Sequence, residues 1–150
     1  FIMKSLRISC QLFLYHTTLM KVVLVEVGKP AKITDIPHDL KAMQTIVEGP
    51  IQALYPWDDP VALVCNEEGK LHGLPLNRIL EDYDIIAGNF FLCGLSKDNF
   101  ASLSEGLAKK YQEKFLYPER IAIQDGHVLV FRVVGQPSPP ENEKNHDPER

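Results

Sequence analysis

Short apolar runs along the chain predict the strands of a sheet. Residues 20–27 (MKVVLVEV), 61–66 (VALVCN) and 84–95 (DIIAGNFFLCGL) are bounded by glycine, proline or polar residues. Runs of this length that are rich in β-branched and aromatic residues are typical of buried strands. We expect the longest run to be the central strand, with Gly88 at a bulge or at a close approach of the backbone.

Turn signals separate the shorter apolar segments. Residues 66–70 (NEEGK) favour a hairpin turn with Gly69 in a left-handed conformation, and Asp125-Gly126 is a two-residue turn signal near the end of the chain. Shorter strands are accordingly expected at 51–55, 71–76, 121–123 and 127–134.

Residues 36–47 are predicted to form the first main helix. Apolar side chains recur there at helical spacing, at Ile36, Leu40, Met43 and Val47. Asp35 is placed to cap this helix, and Pro37 suits its first turn.

Residues 102–115 are predicted to form the second main helix. Ser102 and Glu105 make a capping box, and an inner apolar face recurs every four residues at Leu103, Leu107, Tyr111 and Phe115. A third, short helix is expected from Arg78 to Asp82, with Asn77 as its N-cap.

These elements predict an α+β fold, with a mixed, largely antiparallel sheet of about five or six strands and two main helices on one face. The regular pattern begins at Met20, so we expect residues 1–19 to be an upstream segment and 20–135 to form a single domain. Residues 136–150 are rich in proline and charge and lack apolar anchors, which predicts a disordered tail.

Composition and charge narrow the possible functions. The chain has 150 residues, of which 45% are hydrophobic and 24% charged, as in a single globular domain. Its net charge of −4 argues against direct binding of nucleic acid. No apolar run reaches the length of a membrane span. Cys10, Cys65 and Cys93 match no zinc or redox spacing, and buried, unpaired thiols fit a cytoplasmic protein.

Three segments resemble a known family of small domains. They are MKVVLVEVGKP from residue 20, IVEGPIQALYPWDDPVALVCNEEGKLHGLPLNR in the middle, and YDIIAGNFFLCG after it. Residues 20–117 are similar to the uncharacterised domain of unknown function 3846, which phages and mobile elements of gut-type Gram-positive bacteria carry. The resemblance implies a phage or plasmid setting. It implies no activity, so no functional residue is transferred from it.

Candidate catalytic groups are few. Asp58 and Asp59, with Glu68, could serve as general acid and base or as ligands of a hard metal ion, although consecutive side chains point in different directions. No two of the five histidines have the spacing of a helical zinc pair. Neither a nucleophile elbow nor a phosphate-binding glycine loop is present. The sequence therefore favours binding over catalysis, with no cofactor and no metal.

A ligand site is predicted where two loops flank the ends of the VALVCN segment. Trp57, the only tryptophan, lies in a rigid loop and could stack a base or anchor a protein, or could simply cover the edge of the core. Arg78 at a helix start could hold a phosphate, or could be a solvated arginine. The predicted site consists of Tyr55, Trp57, Asp58, Asp59, Asn77 and Arg78.

The leading hypothesis is a non-enzymatic accessory protein of a phage or mobile element. It would act in the bacterial host cytoplasm by binding and neutralising a host component, either a nucleotide-like defence signal or a defence protein. One alternative is a small metal-dependent hydrolase or transferase that uses Asp58, Asp59 and Glu68. Another is an acidic inhibitor that occupies the groove of a nucleic-acid-binding protein.

Overall fold

The computed structural model describes residues 18–81, 84–97 and 99–133. These residues form an α+β fold, as the sequence predicted. In chain order the elements are β1 (Leu19–Val25), β2 (Lys32–Pro37), α1 (Leu40–Val47), β3 (Ile51–Leu54), β4 (Val61–Asn66), β5 (Leu76–Leu80), β6 (Asp84–Ala87), β7 (Phe90–Ser96), β8 (Asn99–Ala101), α2 (Glu105–Lys114), β9 (Glu119–Gln124) and β10 (His127–Arg132).

A six-stranded antiparallel sheet forms the centre of the molecule, in the order β2-β1-β7-β4-β3 with β8 beside β7. Leu92 of β7 lies opposite Val23 on one side and Leu63 on the other, which confirms that this strand is central. The long apolar run divides at Gly88, whose φ of +85° suits a turn from β6 into β7. A Cβ at Gly88 would lie 2.8 Å from Cδ1 of Leu74, so the close contact at this glycine is made by a side chain and not by another backbone segment.

The two helices lie on opposite faces of this sheet, so the expectation that both share one face is wrong. Side chains alternate along β4: Val61 and Leu63 belong to the cluster that α2 covers, and Ala62 and Val64 belong to the cluster that α1 covers. Successive residues of a strand point to opposite faces. An uninterrupted apolar strand therefore needs cover on both sides.

The helix starts differ from the predicted ones. Ile36 and Pro37 belong to β2, and α1 begins at Leu40 with Asp39 as its N-cap, where Oδ1 accepts a hydrogen bond of 2.8 Å from the Ala42 N–H. At α2 the N-cap is Ser104 rather than Ser102. The Ser102 hydroxyl instead accepts from the Lys21 N–H at 2.9 Å, and so fastens the segment before the helix to β1.

The expected hairpin after β4 is not formed. Residues 67–73 make consecutive turns, and β5 begins only at Leu76. Gly69 does not have a positive φ; a Cβ there would lie 2.9 Å from the Ala87 carbonyl oxygen, so close packing explains the glycine. The predicted helix over 78–82 is also wrong, because residues 76–80 pair with β6 in a separate two-stranded sheet.

The terminal hairpin is confirmed. Gln124 lies opposite His127 across the Asp125-Gly126 turn, and both turn residues have positive φ values, 55° and 79°. The expectations for residues 1–17 and 136–150 fall outside the described residues. Thr18 and Leu19 take part in the fold, because the Thr18 carbonyl accepts from the His38 N–H at 2.8 Å and Leu19 pairs with Pro37. Neither helix among the described residues has the length and apolar composition that a membrane crossing requires.

Candidate functional site

Arg78 lies inside the protein with no exposed surface, although we expected it at the surface. Its Nε and Nη2 donate to the Phe115 carbonyl at 3.2 and 2.8 Å, and Nη2 also donates to the Lys29 carbonyl at 2.8 Å. Nη1 donates to Asn77 Oδ1 at 2.8 Å. Burial lowers the pKa of Arg78 to about 10. These donors are committed to the fold, so Arg78 is not available to a ligand.

Asn77 is also fully buried and caps no helix. Its Nδ2 donates to the Val25 carbonyl at 3.0 Å and to the Gly88 carbonyl at 2.8 Å. The side chain thus joins the end of β1 to the turn before β7 while its oxygen accepts from Arg78. Asn77 and Arg78 form a buried structural pair, and Arg78 links it to the C-terminal end of α2.

Trp57 covers the edge of the core and remains partly exposed. Its ring centroid lies 4.7 Å from that of Tyr111 and 6.1 Å from that of Phe115. The indole N–H donates to Glu81 Oε2 at 2.7 Å, and Lys114 Nζ lies 2.9 Å from the same oxygen. These two contacts, the indole first, lower the pKa of Glu81.

Asp59 connects the same loop to α2. Its Oδ2 accepts from Lys110 Nζ at 2.7 Å and from the Tyr111 hydroxyl at 2.8 Å. The Lys110 and Tyr111 hydrogen bonds lower the pKa of Asp59, whereas burial first and then Asp59 raise that of Tyr111. Two contacts therefore hold the loop against the helix. Asp59 binds Lys110 and Tyr111 directly, and Trp57 binds Glu81, which in turn pairs with Lys114.

Between this loop and α2 lies an open groove of about 390 Å³, called here the Trp57 groove. Its lining residues are Pro56, Trp57, Asp58, Asp59, Lys110, Tyr111 and Lys114. Three of the six predicted site residues, Trp57, Asp58 and Asp59, thus come together. Tyr55 is 60% exposed and does not line the groove, and Asn77 and Arg78 are buried elsewhere.

A second cavity of about 210 Å³ lies over β4 and β6, and Cys65, Glu67, Glu68, Lys70 and Asp84 are among its lining residues. Lys70 pairs with Asp84 at 2.6 Å, and Glu68 Oε1 lies 3.1 Å from His72 Nε2. Cys65 and Cys93 are buried as expected, and burial raises their pKa values to about 11 and about 12.

The carboxylates of the hydrolase alternative are not brought together. Asp58 and Asp59 line the Trp57 groove, whereas Glu68 lines the second cavity, and the two cavities share no lining residue. Within 18–81, 84–97 and 99–133, no group of three His, Cys, Asp or Glu side chains is placed to hold a metal ion.

The family model "Domain of unknown function (DUF3846)" matches residues 20–116. The chain belongs to this family. Searches of curated proteins and of solved structures returned no match. The DUF3846 match spans the central sheet, both helices and the whole Trp57 groove, and it ends before β9.

Sequence reasoning missed the lysines of this DUF3846 groove. Lys110 and Lys114 lie four residues apart on α2, so they occupy the same side of the helix. They flank Tyr111, which the inner-face pattern had already identified. Their spacing in the sequence predicts that the two lysines share one side of the helix. Their approach to the 55–60 loop depends on the tertiary fold and could not be predicted in this way.

Proposed function

We propose that this protein is a non-enzymatic binding protein whose Trp57 groove holds a planar ligand with a small anionic group, such as a mononucleotide. The observation that carries the proposal is the presence of one partly exposed indole and two exposed ammonium groups in a single groove of about 390 Å³. Small-molecule sites usually have volumes of about 300–1,000 Å³.

The indole supplies the planar contact. Its ring is already held by Tyr111 and Phe115 and by the hydrogen bond to Glu81, so little side-chain freedom is lost on binding. Stacking of a base on an aromatic side chain contributes about 1–3 kcal/mol by alanine substitution.

The lysines supply the positive charge that the sequence assigned to Arg78. Lys110 is paired with Asp59, and Lys114 with Glu81, and both ion pairs are in part exposed to solvent. Exposed ion pairs contribute at most about 1 kcal/mol. An arriving anionic group can therefore exchange with the carboxylates at low cost.

The carboxylates limit which anions fit. Asp58 and Asp59 line the groove, and Glu81 lies at its edge against Trp57 and Lys114. Two lysines beside three carboxylates disfavour a triphosphate or a nucleic-acid backbone more strongly than a ligand with one or two negative charges. This balance accords with the acidic net charge of −4.

The proposed biological role rests on the family resemblance alone. We propose that a phage or mobile element carries the protein and that it sequesters a nucleotide-like host signal in the bacterial cytoplasm. Binding without turnover would suffice for this role, which agrees with the separation of Asp59 from Glu68 in two cavities.

Titration calorimetry against nucleoside monophosphates, cyclic nucleotides and triphosphates tests the proposal. Lys114→Gln should weaken binding about tenfold or more, since a hydrogen bond to a charged group contributes about 1.5–3 kcal/mol. Lys109→Gln is the matched control, because Lys109 is exposed on the same helix but does not line the groove. The proposal fails if none of these compounds binds, or if both lysine variants bind like the original protein.

A further inference from the structure

The β9–β10 hairpin exposes apolar side chains on both of its faces. Among the large hydrophobic residues exposed in the described part of the chain, six of eleven lie in or just after this hairpin, namely Ile123, Val128, Leu129, Val130, Phe131 and Val133. A two-stranded hairpin is at best marginally stable alone in water. Exposed apolar surface of this kind is typical of interaction sites.

One edge of the hairpin is directed away from the domain. Glu119 of β9 accepts from the Ile79 N–H of β5 at 2.9 Å, so β9 is the strand nearer the domain. β10 pairs only with β9 among the described residues. Within 18–81, 84–97 and 99–133, the outer edge of β10 is therefore unoccupied.

The ladder defines which backbone groups lie on that edge. The Val133 N–H donates to the Pro118 carbonyl at 2.8 Å, so Val133 belongs to a hydrogen-bonded pair. Hydrogen-bonded and non-hydrogen-bonded pairs alternate along an antiparallel ladder. The N–H and C=O groups of Val128, Val130 and Arg132 consequently point outward.

We propose that β10 pairs with β10 of a second copy of this chain, antiparallel and two-fold symmetric about Val130, to give a four-stranded sheet. Outward-pointing groups on each strand then meet, as a new ladder requires. An isologous contact of this kind closes as a dimer.

The side chains fit this register. On one face, Val130 lies opposite Val130 of the second copy. On the other face, Leu129 of each copy lies opposite Phe131 of the other copy. Arg132 lies opposite Val128 of the second copy, so no two charged side chains are directly opposed. β10 contains no carboxylate that would be left unpaired in the new sheet.

The area predicts a weak dimer. Pairing along the edge of β10 leaves both faces of the hairpin exposed and buries only the margins of its apolar side chains. A standard stable interface buries about 800 Å² per partner. The dimer should therefore depend strongly on protein concentration. The hairpin lies outside the family match over 20–116 and does not line the Trp57 groove, so the inference is independent of the proposed ligand.

Sedimentation velocity over a concentration series tests the proposal on the full chain. The original protein should shift from monomer to dimer as concentration rises. Val130→Lys places two ammonium groups opposite each other at the symmetry axis and should remain monomeric. Leu71→Lys is the matched control: Leu71 is 83% exposed and lies outside the hairpin, so this variant should dimerise like the original protein.

Phe131→Lys, on the other face of the hairpin, should also abolish the dimer, and circular dichroism reports whether each variant folds. Amide hydrogen exchange at Val128 and Val130 should slow with rising concentration in the original protein. A monomer at every concentration, open-ended aggregates in place of a dimer, or a dimer that persists in both lysine variants would overturn the proposal.

Discussion

The guanidinium of Arg78 donates two hydrogen bonds to the backbone carbonyl of Phe115, the C-cap residue of α2. The last carbonyls of a helix have no partner within the helix and carry partial negative charge. Arg78 satisfies one of them and, through the Lys29 carbonyl, also holds the segment after β1. One buried side chain therefore joins β5 to the end of α2 and to the segment after β1.

Replacement of Arg78 by alanine should destabilise the protein by about 3 kcal/mol or more. The Phe115 and Lys29 carbonyls would lose their partner, and each buried polar group left unsatisfied costs about 1–3 kcal/mol. Arg78→Lys keeps the charge but not the forked geometry, so its free energy of unfolding should lie between those of the original protein and Arg78→Ala. Urea unfolding measures the three free energies.

Arg120→Ala is the control for this series, because Arg120 is exposed on β9. Its effect should stay within about 0.5 kcal/mol. An Arg78→Ala protein as stable as the Arg120→Ala protein would mean that the hydrogen bonds of Arg78 do not hold the fold.

Phe115→Ala should cost about 3 kcal/mol or more, as expected for a large buried aromatic side chain. Phe115 is 4% exposed, and its ring lies 5.5 Å from that of Phe90 and 6.1 Å from that of Trp57. Leu71→Ala, at a position that is 83% exposed, provides the comparison in the same unfolding experiment. Equal stabilities for the two variants would show that Phe115 is not part of the core.

The apolar pattern was sufficient to predict much of the sheet. β1, β4 and β7 follow from short runs of apolar residues, and the final hairpin follows from Asp125-Gly126. These features depend on neighbours in sequence. The same is true of the inner face of α2, where Tyr111 and Phe115 are buried as expected.

The errors arise where a distant contact decides the outcome. Asn77 and Arg78 resemble a helix start, but their partners are the carbonyls of Val25, Gly88, Lys29 and Phe115. No local pattern reveals such partners. For this reason only part of the groove was predicted. The sequence indicated its loop, whereas Lys110 and Lys114 line the groove only because α2 packs against that loop.

Acid should loosen the 55–60 loop, and Trp57 fluorescence should report it. The pKa values of Glu81 and Asp59 lie below the ordinary 4.5 and 3.8, so in the folded state both carboxylates bind protons less readily than in the unfolded state. Their contribution to stability is present above those ordinary values and is lost as pH falls through the lowered ones. Trp57 emission should therefore shift to longer wavelength at acidic pH.

Glu81→Gln should diminish this acid-dependent shift, because the amide can still accept from the indole N–H but has no charge to lose. Asp58→Asn is the matched control: Asp58 is exposed beside Trp57, and this variant should keep the shift. A shift that is unchanged in Glu81→Gln would show that the Glu81 carboxylate does not control the loop.

Native mass spectrometry of the protein purified from a bacterial host tests most directly whether the Trp57 groove binds a ligand without transforming it. We predict that the protein carries an added small-molecule mass, and that the compound released on unfolding is chemically unchanged and has the ultraviolet absorption of a nucleotide base. The amount of bound compound should be strongly reduced in Lys114→Gln but not in Lys109→Gln. A protein that carries no such mass and acquires none from added mononucleotides, or one that converts the added nucleotide into a product, would contradict the account.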